Sequence, residues 1–242
     1  MAAATVAKPD EGAPGSASEP GLVDAVVRPR GGLWVFLAIL AAIDLLLGLA
    51  QGPFGLGGAP GTALQWLWLI LTLAVTFGFA ARSGEGRSWL LRSVDFGRNR
   101  HWLWFFPALV VAWVAIMRLE SANFHMSTSF WALIIVNSVA SSFASSMALL
   151  GYVEPRLPQW PGWKRGAVLG GIAAGLFLCH AITQIMRGNW HLGVQVLAAV
   201  PVWMGAYWVY NRFGRGVTTA AFVVVTLNLA VGALLNYMMS AI

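Results

Sequence analysis

The chain has 242 residues, 58% of them apolar and 10% charged. Soluble domains run about 45–50% apolar and about 25% charged, so this composition excludes a soluble globular enzyme, a disordered chain and a disulfide scaffold. The single cysteine, Cys179, cannot close an internal disulfide, and the net charge of +6 reads as arginine placed beside a membrane, not as a nucleic-acid surface.

The apolar residues arrive in continuous runs such as Leu64 to Ala80. An outer-membrane barrel would alternate apolar and polar residues instead. At about 20 residues per span, the apolar fraction suffices for about seven helices.

Met1–Arg30 is a polar tail rich in Ala, Pro, Gly and Ser, without periodicity, and is expected to be a disordered cytoplasmic tail. It is too long and too acidic for the leading region of a cleaved signal peptide, so the first apolar segment should be retained. Seven apolar segments follow: Leu33–Ala50, Leu64–Ala80, Trp102–Met117, Phe130–Leu150, Val168–Ile185, Leu192–Tyr210 and Val217–Met239. They predict an all-α, polytopic membrane bundle in which residues 31–242 form one transmembrane domain.

With the amino terminus inside, the inner segments carry thirteen Lys and Arg residues, and the outer loops carry only Arg118 and Arg187. That asymmetry follows the positive-inside rule and predicts seven spans, amino terminus in and carboxyl terminus out. Ten tryptophans, Trp34, Trp66, Trp89, Trp163, Trp190 and Trp208 among them, fall near segment ends, where indole rings anchor at the membrane interface. No solenoid period and no inverted repeat of the transporter kind is visible.

Polar groups at membrane depth are candidates for function, because hydrocarbon gives them no partners. Asp44 is expected to face the bundle, either as a hydrogen-bonded packing residue or as a functional one. The fourth segment carries Asn137, Ser138, Ser141, Ser142, Ser145 and Ser146, with Ser138, Ser142 and Ser146 on one face. The fifth carries Gly166, Gly170, Gly171 and Gly175, two Gly-xxx-Gly spacings that suit close helix packing. Gly171 and Gly175 are therefore expected to face the serines. His180 follows, with Thr183 and Gln184 one turn on. Gln195, Asn228 and Asn236 could line the same interior.

No second histidine lies at helical spacing and no His-Glu-x-x-His occurs, so neither a metal nor another cofactor is expected. Glu120 and Glu154 are the only glutamates after Glu85, both near predicted interfaces. A Ser/His/Asp set can be assembled on paper from Ser145, His180 and Asp44, but no Gly-x-Ser-x-Gly elbow accompanies it.

The stretch Ser145-Ser146-Met147-Ala148-Leu149-Leu150-Gly151-Tyr152-Val153-Glu154-Pro155-Arg156-Leu157 resembles motif one of the CPBP family, the CAAX-processing and bacteriocin-processing (Abi) intramembrane proteases. That motif reads Glu-Glu-x-x-x-Arg-Gly-Tyr-x-x-Pro-Arg-Leu. Phe177-Leu178-Cys179-His180 is similar to the family's Phe-x-x-x-His, one residue shorter, and Asn228 resembles the asparagine of its His-x-x-x-Asn. The resemblance covers roughly residues 130–239. It implies that the motif-equivalent site positions are His180, Asn228, Ser145 and Ser146, with Glu154 beside them. It also implies residence in the cytoplasmic (inner) membrane of a prokaryote.

The chain departs from the family where chemistry would occur. The paired glutamates fall on Ser145 and Ser146, the arginine on Leu150 and the third-motif histidine on Val224. A general base must accept a proton near neutral pH, which a serine hydroxyl cannot do unaided. The leading expectation is a catalytically lapsed relative acting as a membrane scaffold, regulator or assembly factor. Its partners would be membrane lipids and a membrane peptide or protein, with no nucleic acid. The alternatives are an active endopeptidase using Glu154, Glu120 or Ser145, and a small transporter or cofactor-binding membrane subunit. If the fourth helix runs to Leu157, Ser145 lies twelve residues from its inner end, and His180 lies about equally deep in the fifth. His180 should then face the interior near Ser145 and Asn228, because a lipid-facing imidazole would leave its nitrogens unsatisfied.

Overall fold

The computed structural model describes residues 32–51, 59–94, 97, 100–101, 107, 109–116, 118 and 128–240. Every regular element among them is helical: α1 (Leu33–Gln51), α2 (Ala59–Arg82), α3 (Gly86–Val94), α4 (Thr128–Ser146), α5 (Gly162–Met186), α6 (Trp190–Arg212) and α7 (Val217–Ser240). Helix α4 runs on into a π-helical segment, Met147–Val153, and a 3₁₀ turn, Glu154–Arg156. Six stretches are long and apolar enough to cross a membrane: Leu33–Gln51, Gly61–Arg82, Ala132–Arg156, Gly162–Met186, Trp190–Arg212 and Val217–Leu235. They correspond to six of the seven predicted segments. The other, Trp102–Met117, lies largely outside the described residues. Its described part, 109–116, is helical and docks on α7, where the Trp113 indole Nε1 donates to Thr226 Oγ1 at 2.9 Å. The predicted tail, Met1–Arg30, is also outside the described residues.

Helix α1 shows how an almost wholly apolar helix chooses a face. Its buried residues are Leu33, Phe36, Leu40, Asp44, Leu47, Gly48 and Gln51, a stripe at three- and four-residue spacing. Trp34, Val35, Leu45, Leu46 and Leu49 point outward. Burial here does not sort apolar from polar, since lipid solvates leucine as well as the core does. It sorts the groups that need protein partners toward the inside.

Helices approach closely where side chains vanish. At the α5–α6 seam, a Cβ on Gly170 would stand 2.7 Å from the Val200 carbonyl oxygen, and one on Gly166 would stand 3.1 Å from the Tyr207 ring. At the α1–α5 crossing, a Cβ on Gly48 would overlap the His180 carbonyl. The expectation that Gly171 and Gly175 meet the serines is corrected. Both face outward with nothing near their Cβ positions, and α4 packs on α7 and α2 instead of α5. Of the two Gly-xxx-Gly pairs, Gly166 with Gly170 is the one used, and its partner is α6.

A helix boundary and the role of one tryptophan also differ from expectation. Helix α5 begins at Gly162, six residues before Val168, because backbone hydrogen bonding carries the helix through Lys164 and Arg165, past the edge of the apolar run. Trp89 is no interfacial anchor. It is 2% exposed, and its indole donates to the Met147 carbonyl at 3.3 Å.

At the end of the bundle holding Arg82, Arg156, Arg165 and Arg212, an aromatic plug closes the interior. Phe36 lies 4.5 Å from Tyr152 and 5.4 Å from Phe79, ring centre to ring centre. The π-helical turn leaves carbonyls that an α-helix would bond differently, and side chains collect them. Arg156 donates to the Tyr152 carbonyl at 2.8 Å while its guanidinium lies 3.6 Å over the Tyr152 ring. Two ion pairs complete this end, Arg156 with Glu85 at 3.3 Å and Arg165 with Glu154 at 3.1 Å.

Candidate functional site

In the other half of the bundle the helices part around a cavity of about 560 Å³. Its walls come from residues 40–51 of α1, 62–72 of α2, 133–145 of α4, 148–149 of the π-helical segment, 173–184 of α5, 192–203 of α6 and 224–231 of α7. The division has a packing cause. The bulky Phe36, Phe79 and Tyr152 fill the arginine-rich half, whereas from residue 138 to residue 145 α4 lines the other with small residues, Ser138, Ala140, Ser141, Ser142 and Ser145.

Asp44 is the acidic group on this wall among the described residues. It is 6% exposed, and its Oδ1 accepts the Trp68 indole hydrogen at 2.6 Å. His180 Nδ1 stands 4.0 Å from the same oxygen, too far for a hydrogen bond. The Thr183 hydroxyl donates to the Gly48 carbonyl at 3.1 Å, tying α5 to α1 beside this pair. Two buried nitrogens on the cavity wall, Gln51 Nε2 and His180 Nδ1, have no hydrogen-bond partner.

Ser145, His180 and Asn228 all line this cavity. Counting from helix ends does not place Ser145 and His180 at equal depth, since His180 lies eighteen residues beyond Gly162; what they share is the wall of one cavity. Ser146 sits behind the wall, fully buried, its hydroxyl without a partner. Glu154 stands apart from the cavity. It is 1% exposed and paired with Arg165, which also donates to the Glu154 carbonyl at 2.7 Å. Glu120 lies outside the described residues, as does the side chain of Asn236.

The cavity therefore holds a carboxylate after all, from α1 and not from the motif-one positions on α4. Sequence reasoning set Asp44 beside His180 and Ser145 only on paper, and passed over Gln51, Trp68 and Thr72. The signal for Gln51 was its place seven residues after Asp44, on the same helical face. Among the described residues no three His, Cys, Asp or Glu side chains gather as a metal set. What the arrangement can do is donate and accept hydrogen bonds around a single acid–imidazole pair. Comparison with known protein families, with characterised proteins and with solved structures finds no match to this chain.

Proposed function

We propose that this chain is a CPBP-like integral membrane protein whose protease site has lapsed into a non-catalytic polar cavity, acting as a scaffold, regulator or assembly factor. The observation that carries the reading is the position of Glu154. The one glutamate near the motif is committed to Arg165 at the opposite end from Ser145 and His180, so nothing at the motif-one positions can activate water. The purified protein should leave a panel of membrane peptides intact, with His180→Ala as control. Cleavage that disappears in His180→Ala would overturn this reading.

One observation favours a second reading, a hydrolase using Ser145, His180 and Asp44. All three line one cavity, and Asp44 lies 4.0 Å from His180. A serine-directed fluorophosphonate labelling Ser145, and losing that label in His180→Ala, is the result expected of the hydrolase. A lapsed site gives no label.

The topology belongs with this proposal. Helices α2 and the α4 extension both end at the arginine-rich end, where Glu85 meets Arg156. A crossing by the third apolar segment would carry the chain back to the start of α4. With the thirteen-to-two charge split, that supports seven spans, amino terminus in and carboxyl terminus out, in a prokaryotic cytoplasmic membrane. Reporter fusions after Arg100 and Arg165 should read cytoplasmic, and those after Gly58 and Ile242 external. A cytoplasmic carboxyl terminus would overturn it.

A further inference from the structure

The polar cavity carries a chemistry that neither a lapsed protease nor a scaffold requires. Asp44 is 6% exposed and lies at membrane depth. An ionised carboxylate there needs an opposite charge and good hydrogen bonds. Trp68 supplies one hydrogen bond. No lysine or arginine occurs among the described residues that line the cavity, and His180 stops short at 4.0 Å. The same walls include the aromatic residues Trp66, Trp68, Trp203 and Phe177. Rings of this kind attract cations through their quadrupoles, most strongly where water is excluded. Gln51 is 3% exposed and keeps an unpartnered N–H₂ on the wall, and a buried donor without an acceptor is costly. A carboxylate without a full counter-charge, aromatic walls and an orphaned donor ask for one kind of occupant.

We propose that the cavity binds a small organic cation, its ammonium group paired with Asp44 and held among the aromatic walls, with an acceptor atom of the ligand meeting Gln51. This rests on reading the cavity as a binding site and not a catalytic one. Two sources share this chemistry, a free amine and the ammonium headgroup of phosphatidylethanolamine.

The probe is tyramine, whose phenol oxygen can accept from Gln51, compared with its neutral counterpart of similar size, 2-(4-hydroxyphenyl)ethanol. Both are titrated against the full-length protein in phosphatidylglycerol nanodiscs, with thermal unfolding as the readout. At about a hundredfold excess over Kd the amine should raise the melting temperature by roughly 5–10 °C, and the alcohol should not. Asp44→Asn should abolish the rise. In nanodiscs containing phosphatidylethanolamine, an unchanged rise identifies a free amine as the ligand, and a rise lost to competition identifies the headgroup. Equal rises with amine and alcohol, no rise with either, or a rise that persists in Asp44→Asn would overturn the proposal. The comparison of charged and neutral probes on the unaltered protein decides the matter even if Asp44→Asn does not fold. Because hydrolysis is measured separately, a null result here leaves the lapsed-protease reading standing, and peptide cleavage leaves the amine result standing.

Discussion

Replacing Gly48 by Ala will destabilise the bundle far more than a single methyl ordinarily does. The new Cβ would overlap the His180 carbonyl, a backbone atom that no rotamer change can move aside. Helices α1 and α5 must separate, stretching the bond from Thr183 to the Gly48 carbonyl and drawing Asp44 away from His180. Overpacking costs typically 1–3 kcal/mol, and an overlap with backbone belongs at the upper end, about 3 kcal/mol. For a protein of this size that is a fall of roughly 6–12 °C in melting temperature. Gly171→Ala and Gly175→Ala are the controls, since nothing lies near their Cβ positions, and both should leave thermal unfolding in detergent unchanged. A Gly48→Ala protein that melts with its controls would remove the α1–α5 crossing from the structure.

The second large effect is expected at the opposite end. Glu154→Ala leaves the Arg165 guanidinium, itself 14% exposed at the side chain, without its carboxylate. Removing one member of a buried pair costs about 3–5 kcal/mol, whereas replacing both by apolar residues of similar size is often near neutral. Glu154→Ala and Arg165→Ala should therefore each unfold at markedly lower temperature. The double change Glu154→Leu with Arg165→Met should recover much of the loss. Additive losses in that cycle would show that the two residues do not act as a pair. The same experiment bears on function, because a Glu154 that only locks the fold has no proton to move in catalysis.

The order of these effects follows from how a membrane bundle is held. Only the tight seams and the buried polar contacts distinguish one packing from another when lipid is as good a solvent for leucine as the core is. Of the glycines in the two Gly-xxx-Gly spacings, Gly166 and Gly170 sit in a seam, while Gly171 and Gly175, the same spacing five residues on, face outward. Spacing alone could not choose between them, since both pairs satisfy it equally. Trp89 makes the same point from the other direction. A tryptophan beside arginines reads as an interfacial anchor, yet the π-helical turn of residues 147–153 offers a carbonyl that its indole can bond.

The sequence by itself determined the helical class and the apolar spans that the described residues cover. Each of these rests on transfer of whole segments between water and hydrocarbon, which sums over some twenty residues and survives local error. It also picked out Asp44, His180, Ser145 and Asn228, because any polar group at membrane depth stands out against an apolar run. Which of them meet was decided only by tertiary structure. Asp44 and His180 are 136 positions apart and come within 4.0 Å because a missing side chain at Gly48 lets two helices touch. Glu154 lies only nine residues from Ser145 yet belongs to the other end of the bundle, where Arg165 holds it. Contacts of this kind depend on helix rotation and crossing, and a hydropathy pattern carries no information about either when every face of the helix is apolar.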